Sequence, residues 1–392
     1  MPTRRLPLAV PVVILLAGLV ACTSREPTRE ALTGPSSAAP SGAAFEPRLP
    51  GMPAYPAAGN VYAAAGANQL AEQVRGDRPM VYVPNTKSND VWMIDPATFQ
   101  VVGKFPGGPE PQHVVPSYDL RTLYVASSQI PRGGVIPIDA RTGKPGEFVN
   151  LEDVYNLYFT PDGKQAIVVA EAYQRLDLYD PTTWKRTRSV RFPSCGGINH
   201  MDYSADGRTM LFSCEFANRM IVLDTATLDK VREFRLTRTA DGMPQDTRLT
   251  PDGQHFLVAD MHAHGVYVFD GRAERQTGFI PTGHGAHGIY FDRAATRAFV
   301  TNRDEGTVTV LDLATLKPTT TWRIPGGSPD MGGLSADGRQ LWLSGRFNDE
   351  VYVLSTQDGK LLARIPVGRG PHGLTVWPQP GRYSLGHTGN IR

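Results

Sequence analysis

The chain has no basic block and no aromatic-basic stripe: 40 Lys and Arg stand against 38 Asp and Glu, a net charge of +2. Without that electrostatic footprint nothing points to nucleic acid as a partner. Cysteine is scarce, at three residues in 392. No compact metal signature of the His-Glu-x-x-His kind occurs, and no catalytic motif names a reaction. Leu6 to Val20 is apolar but broken by Pro7 and Pro11, and is too short for a spanning helix. What is abundant is turn chemistry. Gly 40 and Pro 33, with 41% hydrophobic residues, favour a globular all-β fold of short strands.

The first residues read as an address. Arg4 and Arg5 precede the apolar stretch, which ends Leu19-Val20-Ala21-Cys22 and resembles the bacterial lipobox. Lipidation of Cys22 would anchor the mature chain stably to a membrane. Residues 1–22 are thus expected to be a lipoprotein signal. Residues 23–75, rich in Pro, Ala, Gly and Ser, are expected to be a flexible tether. Export places the remaining Cys195 and Cys214 in an oxidising compartment, where a local disulfide is expected. A thiolate ligand or redox pair beside His200 is the alternative.

From residue 76 the chain repeats. Pro161-Asp162-Gly163, Ala205-Asp206-Gly207, Pro251-Asp252-Gly253 and Ala336-Asp337-Gly338 are tight turns, with looser copies at Tyr118-Asp119-Leu120, Asp292-Arg293-Ala294 and Gln379-Pro380-Gly381. A β-rich run follows each of the first six, then a loop, a second run ending in Asp, and a last strand. The period is about 42 residues, that of a four-stranded propeller blade. Inner strands, labelled A of A to D, begin near 113, 156, 200, 246, 287, 331 and 372. Residues 80–105 have no A strand of their own, and His372 to Trp377 can supply it. The expectation is a seven-bladed β-propeller over 76–392, closed by pairing its N- and C-terminal strands. The Asp residues ending C strands (Asp95, Asp180, Asp224, Asp270 and Asp312) read as turn caps.

Phe299-Val300-Thr301-Asn302 and Val81-Tyr82-Val83-Pro84-Asn85 resemble the YVTN-type repeat, and the span from about 80 to 392 resembles YncE-like bacterial exported propellers. Asn199-His200-Met201-Asp202, Ser328-Pro329-Asp330-Met331-Gly332-Gly333 and Tyr383-Ser384-Leu385-Gly386-His387-Thr388-Gly389 resemble a lipoprotein subfamily within them. The repeat is more distantly similar to lactonase propellers and to the haem-binding propeller of a nitrite reductase. No catalytic motif of either maps onto this chain. The resemblance implies the fold and no single activity.

Aligning the blades puts one residue of each at the start of strand A: His113, Asn156, His200, Asp246, His287, Met331 and His372. In a propeller these starts surround one mouth of the channel. The B–C loops reach the same face with Glu171, Glu215, Asp260, His262, His264, Asp304 and Asp349, and the D–A loops add Cys195 and His284. Seven of the nine histidines are thereby expected at one face, His255 and His387 excepted. Candidate metal ligands are His113, His200, His287 and His372. Imidazole with thioether suits copper; imidazole with carboxylate suits zinc or iron. The alternative is that these polar groups only cap loop backbone.

The resulting expectation is a monomeric cell-envelope lipoprotein, attached to a membrane through its lipid and facing the periplasm or cell exterior. Its channel mouth would bind a transition metal, a small ligand or an envelope protein. A propeller enzyme, either lactonase-like or a metal-dependent redox protein with Glu171, Glu215 or Asp260 as base or ligand, is the second reading. A protein-interaction scaffold is the third.

Overall fold

Seven four-stranded antiparallel sheets stand around a central channel in the computed structural model, which describes Phe45 and residues 48–392. The signal segment, Cys22 and the tether up to residue 44 lie outside the described residues. Blade 1 is Met80–Asn85, Asp90–Asp95 and Gln100–Pro106, with the C-terminal strand Thr375–Trp377 innermost. Met80 pairs with Trp377, Val81 with Val376 and Tyr82 with Thr375, so the chain's two ends close the ring. This last inner strand is shorter than the expected His372 to Trp377. Pro371 and Gly373 instead form single bridges to Asn85 and His113.

The repeat has a local cause. At five of the A–B turns a Ser or Thr hydroxyl bonds the Asp two residues on and accepts an N–H five residues on, as Thr160 does with Asp162 (2.7 Å) and Gln165 (3.1 Å) and Ser117 with Asp119 and Thr122. Ser204, Thr250 and Ser335 repeat the motif. At the C–D turns, Asp180 and Asp224 each accept two backbone N–H groups, which is the capping role expected of them.

The inner strands belong to separate sheets, so their channel-side N–H groups need other partners. Side chains of the neighbouring blade provide them. Met201 N–H donates to Tyr158 Oη (3.0 Å), Leu249 N–H to Asp202 Oδ2 (2.8 Å), Ile289 N–H to Asp246 Oδ2 (2.9 Å) and Gly332 N–H to Tyr290 Oη (2.6 Å).

Two segments extend the ring. Residues 48–75, expected within the tether, lie along the A–B turns: Leu49, Val61 and Asn68 donate backbone N–H to Asp206, Pro251 and Ala336, each at 2.8 Å. Their scattered apolar residues, Met52, Val61, Ala65 and Val74, are buried. The tail beyond Trp377 enters the channel from this same face. Phe159 N–H donates to Leu385 O (3.0 Å) and His387 N–H to Leu157 O (2.9 Å), after which Leu385 and Asn390 close a hairpin. Gly386 permits the approach, because a Cβ there would sit 2.4 Å from Leu157 O.

Trp377 is fully buried at the closure, and its Nε1–H donates to Asp77 Oδ2 at 2.9 Å. Trp377→Ala is expected to cost about 3–5 kcal/mol, read as a lower urea midpoint. An unchanged midpoint would mean that ring closure does not depend on this side chain.

Candidate functional site

Inner strands open with a bulge. Ile198 pairs with Cys214 but Met201 with Phe212, and the same shift occurs between Pro244 and Thr247, Ala286 and Ile289, and Pro329 and Gly332. A bulge re-aims side chains. Here it gathers five imidazoles: His113, His200, His287 and His372 from the blades, and His387 from the hairpin tip. None is more than 2% exposed. Ring centroids are 4.8 Å apart for His113–His372 and for His200–His387, 5.3 Å for His113–His387, and 6.1 Å for His287–His372.

Two donor sets emerge, each with atoms within 4.8 Å of one another: His113, His200 and His387, and His287, Asp330 and His372. Asp246 joins the first. Its Oδ2 accepts from Ile289 N–H and Arg248 Nε (3.2 Å), and its Oδ1 lies 3.4 Å from His387 Nε2. That Oδ1 and the Nε2 atoms of His113, His200 and His387 are buried without a hydrogen-bond partner. Such orphans are uncommon in a folded protein and call for an occupant. In the second set Asp330 Oδ1 is held by Arg303, with Nε at 2.9 Å and Nη2 at 2.5 Å, as Asp246 Oδ2 is held by Arg248. The second set has three orphaned atoms, His287 Nδ1, Asp330 Oδ2 and His372 Nδ1, against four in the first, which also brings three imidazoles together and is the better cation site.

Neighbouring groups fix the rings. His113 donates Nδ1–H to the Tyr155 carbonyl (2.8 Å), which leaves a lone pair on Nε2. Asn156 faces two rings at once, its Nδ2 lying 3.2 Å from His200 Nδ1 and 3.0 Å from His387 Nδ1. With the amide nitrogen turned to them, both Nε2 atoms carry hydrogen. With the oxygen turned to them, both Nδ1 atoms donate and both Nε2 lone pairs are free for a metal, at the cost of the Leu157 N–H bond to Oδ1 (2.9 Å). One side chain thus sets two tautomers.

Burial keeps the pocket neutral. It lowers His113 to about 4, partly opposed by the bond to the Tyr155 carbonyl. Burial likewise holds His200, His287, His372 and His387 well below the usual imidazole range, reinforced by His387, Arg303, Arg346 and Arg248 respectively.

The structure redistributes several expected site residues. Blade 7 presents Asp330 in place of Met331, because both fall within the bulge and the first is turned to His287 (3.1 Å) and His372 (3.6 Å). Met331 is buried, with its backbone N–H and carbonyl both on the Ser344 hydroxyl. Without its thioether the donors are imidazole and carboxylate. Asp260 is a loop cap, its Oδ1 taking the N–H groups of Met243, His262 and Ala263. His264 and His284 stack on each other at 4.2 Å on the rim, where His262 is exposed. His113, Asn156, His200, Asp246, His287 and His372 do come together. Glu171 and Glu215 stand above them, both in contact with Asn199. Cys195 and Cys214 form a disulfide (Cα–Cα 4.8 Å), so no thiolate stands beside His200.

Two residues escaped the sequence reading. His387 lies outside the repeat that locates the others. Tyr155 precedes the aligned Asn156, and its ring lies 5.4, 5.9 and 6.3 Å from those of His113, His200 and His372.

Residues 234–380 match the family described as YNCE-like beta-propeller. Over that span the chain resembles this family. No curated protein matches it in sequence. Among solved structures, this seven-bladed propeller is similar to a functionally unknown protein from Desulfotomaculum acetoxidans, with TM-score 0.64 and 17% identity over 76% of this chain and 98% of that one. Dihydro-heme d1 dehydrogenase NirN in complex with DHE gives TM-score 0.56 and 17% identity over 78% and 77%. Kuenenia stuttgartiensis hydrazine synthase gives 0.53 and 20% over 66% and 87%. At these identities the likeness is one of fold.

Between about pH 6.5 and 4 the unfolded chain protonates its histidines while the folded pocket resists, so stability falls as pH drops through that window. His113 alone corresponds to roughly 3 kcal/mol. Melting temperature is expected to fall from pH 7 to pH 5 in chelator, and the double variant His200→Gln, His287→Gln should flatten the slope. Equal slopes for both proteins would contradict the neutral pocket.

Proposed function

We propose that this seven-bladed propeller is an exported, lipid-anchored binding module that holds one transition-metal ion in its channel, bound by His113, His200, His387 and Asp246. The observation that carries the reading is three buried imidazoles with donor atoms within 4.8 Å of one another and Asp246 Oδ1 3.4 Å from His387 Nε2, the four donor atoms all without hydrogen-bond partners. Three neutral imidazoles and a carboxylate are the donor types of zinc and iron sites, and imidazole also suits copper. The lipobox-like Leu19-Val20-Ala21-Cys22 supports anchoring outside the cytoplasm.

The binding role follows from what surrounds the donors. The tail hairpin fills the channel from the A–B turn face, which leaves the D–A and B–C loop face as the way in. Tyr155 stands over the imidazoles on that side. A buried site of this kind retains its ion against solvent, as a carrier or structural centre needs.

Metal content of protein expressed from residue 23 tests the reading. Elemental mass spectrometry is expected to find about one equivalent of zinc, copper or iron that survives dialysis. His113→Ala, His200→Ala and His387→Ala should each remove it. Asn156→Asp, which supplies a carboxylate to both Nδ1–H groups, should tighten binding, since such partners commonly weigh about 10–100-fold. Protein that arrives metal-free and takes up no added metal would leave the imidazoles without this role.

A further inference from the structure

Above the histidines lies a second ring, one turn of the sequence later. The residue following each B strand is the first of its B–C loop, so these positions all border the mouth. In blades 3 and 4 they are Glu171 and Glu215; in blades 6 and 7 they are Arg303 and Arg346. Met261 of blade 5 intervenes on one side, and Thr86 and Ser128 of blades 1 and 2 on the other. The order is read from contacts between neighbours: Arg303 Nη1 lies 3.5 Å from Met261 Sδ, and Arg346 Nη1 lies 3.3 Å from Thr86 Oγ1. Acid therefore faces base across the opening.

We infer that this polarised ring binds a small zwitterionic amino carboxylate, its carboxylate on Arg346 and its ammonium on the Glu171–Glu215 pair. Arg346 makes no ion pair among the described residues, its hydrogen bonds going to Thr86 Oγ1 and the Gly370 carbonyl, so it has fork positions left for a carboxylate. Arg303 is spoken for by Asp330 and contributes field more than contact. On the facing wall Asn199 Nδ2 donates to Glu171 Oε1 (3.5 Å) and to Glu215 Oε2, which brings the two carboxyls together. Asn199 is fully buried between them, and its Oδ1 has no partner, a second acceptor for an ammonium group. Burial first, and then the neighbouring Glu215, hold the Glu171 carboxyl well above its ordinary range.

Tyr155 lies against the imidazoles, its ring 5.4 Å from that of His113 and 5.9 Å from that of His200 and its carbonyl on His113 Nδ1. None of Glu171, Glu215 and Arg346 is among the four proposed metal donors, so the subsite is tested with the metal removed. A ligand with charge at one end only satisfies one wall and leaves the other facing nothing. A ligand with both ends charged satisfies both, which is how the ring selects.

The test is calorimetric titration of glycine, β-alanine and γ-aminobutyrate into the full chain after chelator treatment, with acetate and methylammonium as single-ended controls. At least one amino carboxylate is expected to bind roughly tenfold more tightly than either control, the worth of one charged contact. Arg346→Gln and Glu171→Gln should each weaken it by about as much, while Arg346→Lys retains most of the affinity, which separates lost charge from lost folding. Absence of binding, acetate binding as tightly as the amino carboxylates, or indifference to Glu171→Gln would overturn the inference. So would binding that returns only with added metal, because that places the ligand in the pocket beneath.

Discussion

Apart from the single bridge between Gly373 and His113, the inner strands of the seven blades do not pair with one another, and their channel-side N–H groups must still be satisfied away from water. Everything at the centre of this molecule follows from that. Asp202, Asp246, Tyr158 and Tyr290 reach across from neighbouring blades to do it. Polar side chains are thereby drawn into a space that closure of the ring and the inserted tail shut off from solvent. A hydrophobic channel would leave backbone donors orphaned. Once such side chains are present, their remaining atoms are also buried, and Asp246 Oδ1 is one of them.

The same constraint explains why the histidines are neutral. An imidazolium in this space would lose its hydration with little to replace it, since Asp246 and Asp330 already answer to Arg248 and Arg303. Neutral imidazoles keep one lone pair each, and His113 has its lone pair set by the Tyr155 carbonyl. Tyr155 therefore acts twice, through its carbonyl on His113 and through its ring against those of His113 and His200. The charges excluded from the pocket collect one level higher, where the Arg and Glu side chains retain partial access to water.

Much of this was legible in the sequence, for reasons that differ by residue. The Ser/Thr-x-Asp-Gly turns are local, so the blade period and the seven inner strands could be counted from them. His113, Asn156, His200, Asp246, His287 and His372 sit at one phase of that period. Met331 was one position off because a bulge holds two residues against one, and spacing does not say which is turned inward; 287 to 330 keeps the period as well as 287 to 331. His387 belongs to no repeat, and only the tail's path brings it to the others. Asp260 shares a composition with Glu171 and Glu215 but is consumed by its own loop, a fate decided by three backbone N–H groups. Residues 48–75 looked like a spacer because their apolar residues have no period, yet each fills a separate gap on the A–B turn face.

The account turns on whether His113, His200, His387 and Asp246 share one ion. Anomalous diffraction from crystals of the propeller, collected on both sides of the edge of whichever metal it carries, addresses this directly. The expected result is a single peak about 2.0–2.2 Å from the three Nε2 atoms and Asp246 Oδ1, with the Asn156 oxygen turned toward His200 and His387. A peak among His287, Asp330 and His372, or density for water alone between the first three imidazoles, would contradict it.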